Sequence, residues 1–522
     1  MVEDRTDAAT DRRWALGATI IAVSLLACLL LRAFQLQVLQ GSTHKQHALD
    51  RALSRVHVTP VRGRILDRTG VPLAEPRESY EVYVSTHFAK HHDASIWKRV
   101  QDHLDLRKKQ MDQVRAFVDG RTAGQPRLIR IARGLTREQA DALRGDPTLR
   151  WRLNVRAVES RRYPFGHPFA HVVGTLGEVD KDELAHHPER GYRAGERNGR
   201  SGIEAAYETK LRGRPGFEWK PTNPRVRVAT DGRVATEALP GEDVRTTLDA
   251  NLQQRIHEAF DQAHESFGAA VMVDVSTGGV RALYARPAID PNVFERSVTS
   301  EQAEALFSDP KRPFLNRAIA ASYAAGTVIE PFLLANAGRP EATTSAFERF
   351  GFGHPTGIGL TPEARGSLSD TPSESTVTPL QLARAYAALA NGGMLHPVGL
   401  VPADTPSKSR FVGLARDLLA RVAGTLPARR PTSDSGFADP SKDEPSVRVL
   451  SAMGEPRSSA TGEASTDCAW VVGFAPTAEP RIAFAIVVEQ ATTPASARSI
   501  AARVLAAGAG QAWWTDAKGN AQ

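Results

Sequence analysis

The sequence predicts an α/β chain of intermixed helices and strands (α+β) carried on one N-terminal transmembrane helix, and three observations predict it. Residues 14–31 are an uncharged stretch of 18 residues bracketed by Arg12, Arg13 and Arg32, which just reaches the length needed to cross a bilayer as a helix. At 269–284 two apolar strand-like runs flank Ser276-Thr277-Gly278-Gly279, the pattern of a hairpin. Residues 495–507 are alanine-rich with apolar positions at helical spacing, as in a helix packed on a sheet.

The anchor comes first along the chain. It is the one uncharged stretch of that length that is apolar enough to span a bilayer, and a lone, terminal, Arg-bracketed segment followed by polar sequence reads as an uncleaved anchor rather than a core helix. Leu25-Leu26-Ala27-Cys28 resembles a lipoprotein processing site, but the apolar run continues through Leu29, Leu30 and Leu31, where such a site would end it. Charge does not orient the span, because Arg5, Arg12 and Arg13 precede it and Arg32, Lys45 and Arg51 follow.

Bulk composition bounds the rest. With 522 residues and 41% hydrophobic content, the chain has apolar surface for two or three folded domains. Lys and Arg number 66 against 59 Asp and Glu, a formal charge of +7, but the basic residues are scattered. That is a solvated surface tolerant of anionic polymers or lipid headgroups, and not a nucleic-acid footprint. Cys28 and Cys468 are the only cysteines, which excludes a disulfide framework.

From the anchor to about residue 237 strand-like and helical pieces alternate, such as 80–85 and 136–144. Val61-Arg62-Gly63-Arg64-Ile65-Leu66-Asp67-Arg68-Thr69-Gly70-Val71-Pro72-Leu73-Ala74 reads as strand, Asp/Gly turn and strand. A second block has Tyr163-Pro164, Ala170-His171-Val172-Val173-Gly174, Gly199-Arg200-Ser201-Gly202-Ile203-Glu204 and Leu211-Arg212-Gly213-Arg214-Pro215-Gly216. A third runs from Thr246-Thr247-Leu248-Asp249 through Asn316-Arg317-Ala318, Phe350-Gly351-Phe352-Gly353, Thr378-Pro379-Leu380-Gln381 and Asn391-Gly392-Gly393 to Trp470-Val471-Val472-Gly473-Phe474-Ala475-Pro476.

In this order and spacing the blocks resemble the class B penicillin-binding proteins over nearly everything from Val61 to the C-terminus. The resemblance implies a cytoplasmic tail (1–13), the transmembrane helix (14–31), an elongated pedestal or dimerisation-type domain (45–237) and a transpeptidase domain (240–510) of serine β-lactamase-like fold, with a central antiparallel sheet between helices. Residues 427–447, dense in Pro, Ser, Asp and Lys, read as a mobile surface loop. By resemblance Arg62, Gly63, Asp67, Arg68, Gly70, Gly202 and Glu204 are structural motif residues, and the bulk of the chain lies outside the bacterial inner membrane.

The resemblance also places chemistry. The family's first motif is Ser-x-x-Lys, which puts a hydroxyl and an amine on one helix face, so that a neutral Lys takes the Ser proton during attack on a carbonyl. Here the matching segment is Ala325-Gly326-Thr327-Val328-Ile329-Glu330: Thr327 stands at the nucleophile and Glu330 at the Lys. The added methyl crowds the attack, and the carboxylate reverses the electrostatics around an anionic substrate and a developing oxyanion. The second motif, Ser-x-Asn, is missing, for no Asn in the chain has Ser two positions before it. Counting back from Trp470, the third motif, Lys-Thr-Gly, is expected at Ala460-Thr461-Gly462, followed by Glu463, with the cation gone.

Isolated matches elsewhere carry less. Ser95 and Lys98 fit the first pattern in the pedestal region without its context, and His87, His91, His92 and Asp93 read as a solvated turn rather than a metal site. Cys468 is expected in a core strand, and Thr327 is expected to cap its helix. No cofactor or metal is expected.

The expected function is therefore a non-catalytic pseudo-transpeptidase in cell-wall synthesis. Its expected partners are a membrane-embedded glycan polymerase, other cell-wall synthesis proteins and the inner membrane, with peptidoglycan peptides as a further candidate and no nucleic acid. The alternatives are an impaired or altered D,D-transpeptidase using Thr327, or a stem-peptide binding module.

Overall fold

The computed structural model describes residues 4–40, 52–85, 94–104, 108–119, 128–187, 190–221, 235–296, 300–335, 342–402, 408–432, 436–439, 446–454 and 467–508. Two compact units result, one of Met1–Pro60 with Arg214–Pro240, the other of Val61–Gly213 with Gly241–Gln522.

In the first unit the expected anchor lies within the helix Asp4–Phe34, which runs on into a π-helical turn, Gln35–Leu39. Its Leu16–Leu39 stretch has a mean hydropathy of 2.2 and is long and apolar enough to cross a membrane. Leu25, Leu29, Leu30 and Leu31 all project outward. A helix apolar on every side has no polar face for water. Leu53–Val58 and Gly216–Pro221 form an antiparallel ribbon in which Leu53 faces Pro221 and Val58 faces Gly216. The Arg55 guanidinium lies 3.6 Å from the centre of the Phe217 ring, a cation–π contact.

The second unit begins with the hairpin read from its turn chemistry. Ile65–Leu66 pairs antiparallel with Pro72–Ser85. Asp67 Oδ1 accepts the amides of Thr69 and Val71 and the Thr69 hydroxyl at 2.7–2.9 Å, while Gly70 takes φ +100°, a conformation that suits glycine. Leu128–Leu135 and Leu153–Arg162 also pair with Pro72–Ser85. Trp97, Val100, Ala140 and Leu143 from the covering helices join Val82, Val84, Ile129 and Ile131 in one apolar cluster. Thr136 caps Arg137–Gly145 through a capping box with Gln139.

Further along, seven strands form one antiparallel sheet in the order Val280–Arg286, Gly268–Asp274, Ile482–Glu489, Cys468–Ala475, Val447–Gly454, Ala428–Pro431 and Phe437–Ala438. Strand alternation sends Met272, Val471 and Phe484 to one face, against Ile256 and Phe260 of Ala250–Gln262 and Ile500 and Val504 of Ala495–Gly508. The other face sends Val271, Val472 and Ala485 toward Leu380, Ala383 and Ala387 of Pro379–Ala390. This is a sheet between helices, as the sequence predicts.

One expectation needs correction. The stretch 427–447 is not loop throughout: Ala428–Pro431 extends the sheet beside Val447–Gly454, and Phe437–Ala438 pairs with it in turn. Pro and polar residues are tolerated on such short edge strands, and the Arg448 guanidinium ties the corner by donating to the Gly424 and Leu426 carbonyls at 3.0 and 2.6 Å. Residues 61–213 fold into the same compact unit as the sheet, and the 214–240 segment belongs with the ribbon.

His171, from the second sequence block, lies on the short helix Ala170–Val173 and its Nε2 donates to the Pro287 carbonyl at 3.1 Å. Burial draws its pKa down from 6.5 to about 4. The fold therefore favours the neutral ring, a contribution fully present above about pH 6.5 and lost as pH falls toward 4, because the unfolded chain binds the proton first. Acidification across that window should remove up to about 3 kcal/mol of stability through this residue. Denaturant titrations at pH 7 and 4.5 should show His171→Gln losing correspondingly less than wild type; equal losses would refute the assignment.

Candidate active site

The segment expected to carry the nucleophile is built on core contacts. Tyr323–Ala324 pairs with Thr376–Val377, and the chain then turns through a 3-10 helix, Gly326–Ile329, into Glu330–Leu334. Val328 and Ile329 are fully buried. The Tyr386 hydroxyl donates to the Val328 carbonyl at 2.8 Å and Trp470 Nε1 to the Ala324 carbonyl at 2.9 Å. Phe332 follows into a cluster of Phe350, Phe352 and Tyr386, with ring centres 4.8–5.2 Å away.

Gly326 is the close approach in this turn. It has φ +55°, and a Cβ there would sit 2.3 Å from the Met453 carbonyl oxygen. Gly326→Ala should therefore destabilise the unit by about 2–4 kcal/mol, combining left-handed strain with a backbone clash. Chemical denaturation would measure it, and a cost under about 0.5 kcal/mol would show that the turn does not press on the strand.

Thr327 and Glu330 both project from the turn and are exposed. Three residues apart on a 3-10 helix they fall on one side, and the Glu330 amide donates to the Thr327 carbonyl. Thr327 does not cap this helix: the cap position is Ala325, with no side-chain bond to the turn. Tertiary contacts from Tyr386 and Met453 hold the turn, so no hydroxyl cap is required. Beneath it, Arg317 Nε donates to Glu489 Oε1 at 2.8 Å and the Tyr323 hydroxyl donates to the same oxygen at 2.7 Å. Burial first, then the Glu489 charge, push the Tyr323 hydroxyl well above its ordinary pKa. It is a fixed donor rather than a base.

The strand that lies beside the turn is Val447–Gly454, with the Met453 carbonyl against Gly326 and Gly454 against the Ala324 carbonyl. Ala460, Thr461, Gly462 and Glu463 lie outside the described residues. The strand positions against the turn are Met453 and Gly454, and the strand's one cation, Arg448, is held at the far corner. The count back from Trp470 leads to 460–462, beyond the end of this strand at Gly454. The signal was the Val447-Arg448-Val449 alternation ending at Gly454, opposite Cys468–Ala475. Cys468 is buried in that partner strand, as expected. Ser95 and Lys98 lie exposed on Ala94–Leu104, on elements remote in the chain from this turn, while His87, His91, His92 and Asp93 are outside the described residues.

The pedestal motif residues do come together. Arg62 Nε donates to Glu204 Oε2 at 2.7 Å and its Nη2 to Glu208 Oε2 at 2.6 Å, while Arg161 Nε donates to Glu204 Oε1 at 2.7 Å and Nη1 to the Gly63 carbonyl at 2.7 Å. Burial alone would lower the Arg62 pKa, but Glu204 and Glu208 overcome it and hold the guanidinium above its ordinary value. Arg68 pairs with Asp249 at 3.6 Å. Gly202, at φ +60°, lets the chain pass against the Gly174 amide, 2.6 Å from where a Cβ would be.

Comparison with known proteins follows the same layout. The penicillin-binding protein dimerisation domain matches residues 57–246 and the penicillin-binding protein transpeptidase domain residues 332–424. The Peptidoglycan D,D-transpeptidase MrdA of Escherichia coli K12 is 29% identical over 336 residues, covering 62% of this chain and 51% of that protein. Its Acinetobacter baumannii counterpart is 24% identical over 597 aligned positions, covering 95% and 88%. Against the first of these, the chain spans about half the relative's length. The solved complex of penicillin-binding protein PBP2 with MreC from Helicobacter pylori has the same fold, with a TM-score of 0.65 at 15% identity over 87% of this chain and 98% of that one. With a dimerisation domain preceding a transpeptidase domain, and with relatives and fold that agree, the chain belongs to the class B penicillin-binding proteins.

Proposed function

We propose that this protein serves peptidoglycan synthesis as a pseudo-transpeptidase, a membrane-anchored scaffold or regulator of a glycan polymerase that does not itself crosslink. The observation that carries the reading is the pair Thr327 and Glu330, exposed on one side of the turn with an anion where the chemistry needs a cation-capable base. D,D-transpeptidation asks for an activated hydroxyl, a proton acceptor beside it and a cation for the substrate carboxylate. This turn offers a hindered hydroxyl and a carboxylate, and the described strand beside it offers no cation near the turn.

The membrane-length helix, the Asp67 hairpin and the Arg62–Glu204 network are intact, which supports docking rather than chemistry. The Helicobacter pylori neighbour was solved with MreC, and a protein of the cell-wall machinery is the kind of partner that a scaffold requires. The single helix would place the body of the chain on the extracytoplasmic side of the inner membrane.

The test uses the whole chain, because Arg133 and Arg197 of the N-terminal part donate to the Phe294 carbonyl and a truncation would strand them. Full-length protein and Thr327→Ala are expected to co-purify equally with a membrane glycan polymerase, and a form lacking residues 1–40 to be recovered at least tenfold less. An association, or a cellular phenotype, that depends on Thr327 would overturn the scaffold reading. A second reading, an altered transpeptidase, is favoured by the Thr327 hydroxyl alone, which is exposed and has no hydrogen bond among the described residues.

A further inference from the structure

A partly open cavity of about 660 Å³ lies far along the chain from the Thr327 turn, where strands Pro72–Ser85 and Leu153–Arg162 meet the turn Pro291–Glu295. Its size is that of a small-ligand site, but its lining is polar. Arg77, Arg133, Arg161, Arg162 and Arg296 contribute five cations against two carboxylates, Asp290 and Glu295.

Both acids are engaged within the fold. Asp290 Oδ1 accepts the Asn292 amide and side chain at 2.9 and 2.7 Å, and Glu295 Oε2 accepts from Ser160 and the Arg161 amide at 2.9 and 3.0 Å and from Arg197. The rim cations are largely uncommitted. The Arg77 and Arg296 side chains are exposed and their guanidinium groups have no hydrogen bond or ion pair among the described residues, and the Arg162 side chain makes a single bond of 3.2 Å to Glu75. The floor carries unpaired polar atoms as well: Arg161 Nη2, the Tyr163 hydroxyl and Glu295 Oε1 are buried without a partner, in residues only 2%, 3% and 8% exposed. Such groups cost about 1–3 kcal/mol each when left unsatisfied.

We propose that this cavity is a binding site for an acidic peptide segment, its carboxylates held by Arg77, Arg162 and Arg296 and its amides by Gln139 and the Tyr163 hydroxyl. Guanidinium groups pair with carboxylates in bidentate geometry. Several single charges spread over separate arginines suit the lining better than one dense dianion, which Asp290 and Glu295 would repel. The site stands apart from the pseudo-transpeptidase reading and requires nothing of Thr327.

The test is calorimetric titration of the full-length protein in detergent with an acetylated, amidated Glu-Ala-Glu tripeptide, its Gln-Ala-Gln analogue and inorganic phosphate. The acidic tripeptide should bind with a Kd below about 1 mM at low ionic strength and weaken with added salt. The Arg77→Ala/Arg296→Ala double variant should weaken it at least tenfold without changing Tm, since neither side chain has a partner to lose. Tyr163→Phe should weaken it about threefold, and Arg137→Ala, outside the lining, should leave it unchanged. No saturable binding, equal binding of the Gln analogue, tighter binding of phosphate, or full affinity in both cavity variants would each overturn the proposal.

Discussion

Full-length protein incubated with a fluorescent penicillin is expected to form no covalent adduct, at a sensitivity where a family member with intact motifs is fully labelled. Acylation would require Thr327 to attack the lactam carbonyl while Glu330 takes its proton, and both side chains stand exposed on the outside of a 3-10 turn. Water competes for each of them, and the carboxylate opposes the oxyanion that forms. Losing one member of such a catalytic unit costs about 10⁴-fold or more, and members lost together do not add. Thr327→Ser, Glu330→Lys and Ala460→Lys combined should therefore remain at least about 10³-fold below family activity, because only residues 331–350 separate Glu330 from Gly351 and leave no Ser-x-Asn loop. Adding Leu450→Lys on the strand beside the turn is expected to change nothing further for the same reason. A stable adduct that Thr327→Ala abolishes, or near-family rates in the triple variant, would sink the pseudoenzyme reading.

The parts of this fold that could be read in the sequence are those whose cause is local. An apolar run without a polar face announces the membrane-length helix, Asp67 and Gly70 announce the hairpin through their own backbone bonds, and glycine-separated apolar runs announce the central strands. The parts that escaped have non-local causes. Ala428–Pro431 is a strand because Val447–Gly454 offers it an edge, and composition alone favoured loop. Thr327 looked like a cap, but its turn is set by Tyr386 from 58 positions away and by the Met453 carbonyl. The strand beside that turn was passed over because the segment after it, 455–466, has no turn signal sharp enough to fix a register. The Arg62, Arg161 and Glu204 grouping was visible only as two of its three members, since Arg161 sits 43 positions from Glu204 in a strand that shows no motif.

That grouping is where a single substitution should cost most. Glu204 is fully buried and its two carboxylate oxygens are divided between Arg62 and Arg161, themselves 8% and 2% exposed. Replacing such a pair wholesale by apolar groups can be neutral, but removing one partner leaves buried charge uncompensated. Glu204→Ala strands two guanidinium groups at once and opens a cavity beside Ile203, so a loss of about 4–6 kcal/mol is expected. Glu204→Gln keeps the shape and one acceptor and should still lose about 3 kcal/mol or more, because a neutral amide cannot balance two cations and its NH₂ faces a donor. The exposed pair of Arg162 with Glu75 is the internal control: Glu75→Ala should cost less than about 1 kcal/mol. Urea unfolding of the three variants at constant pH and protein concentration would rank them. If Glu204→Gln fell within about 1 kcal/mol of wild type, the network would not be holding the N-terminal part of this unit together, and that role would pass from Arg62 and Glu204 to the apolar contacts around Ile203 and Leu211.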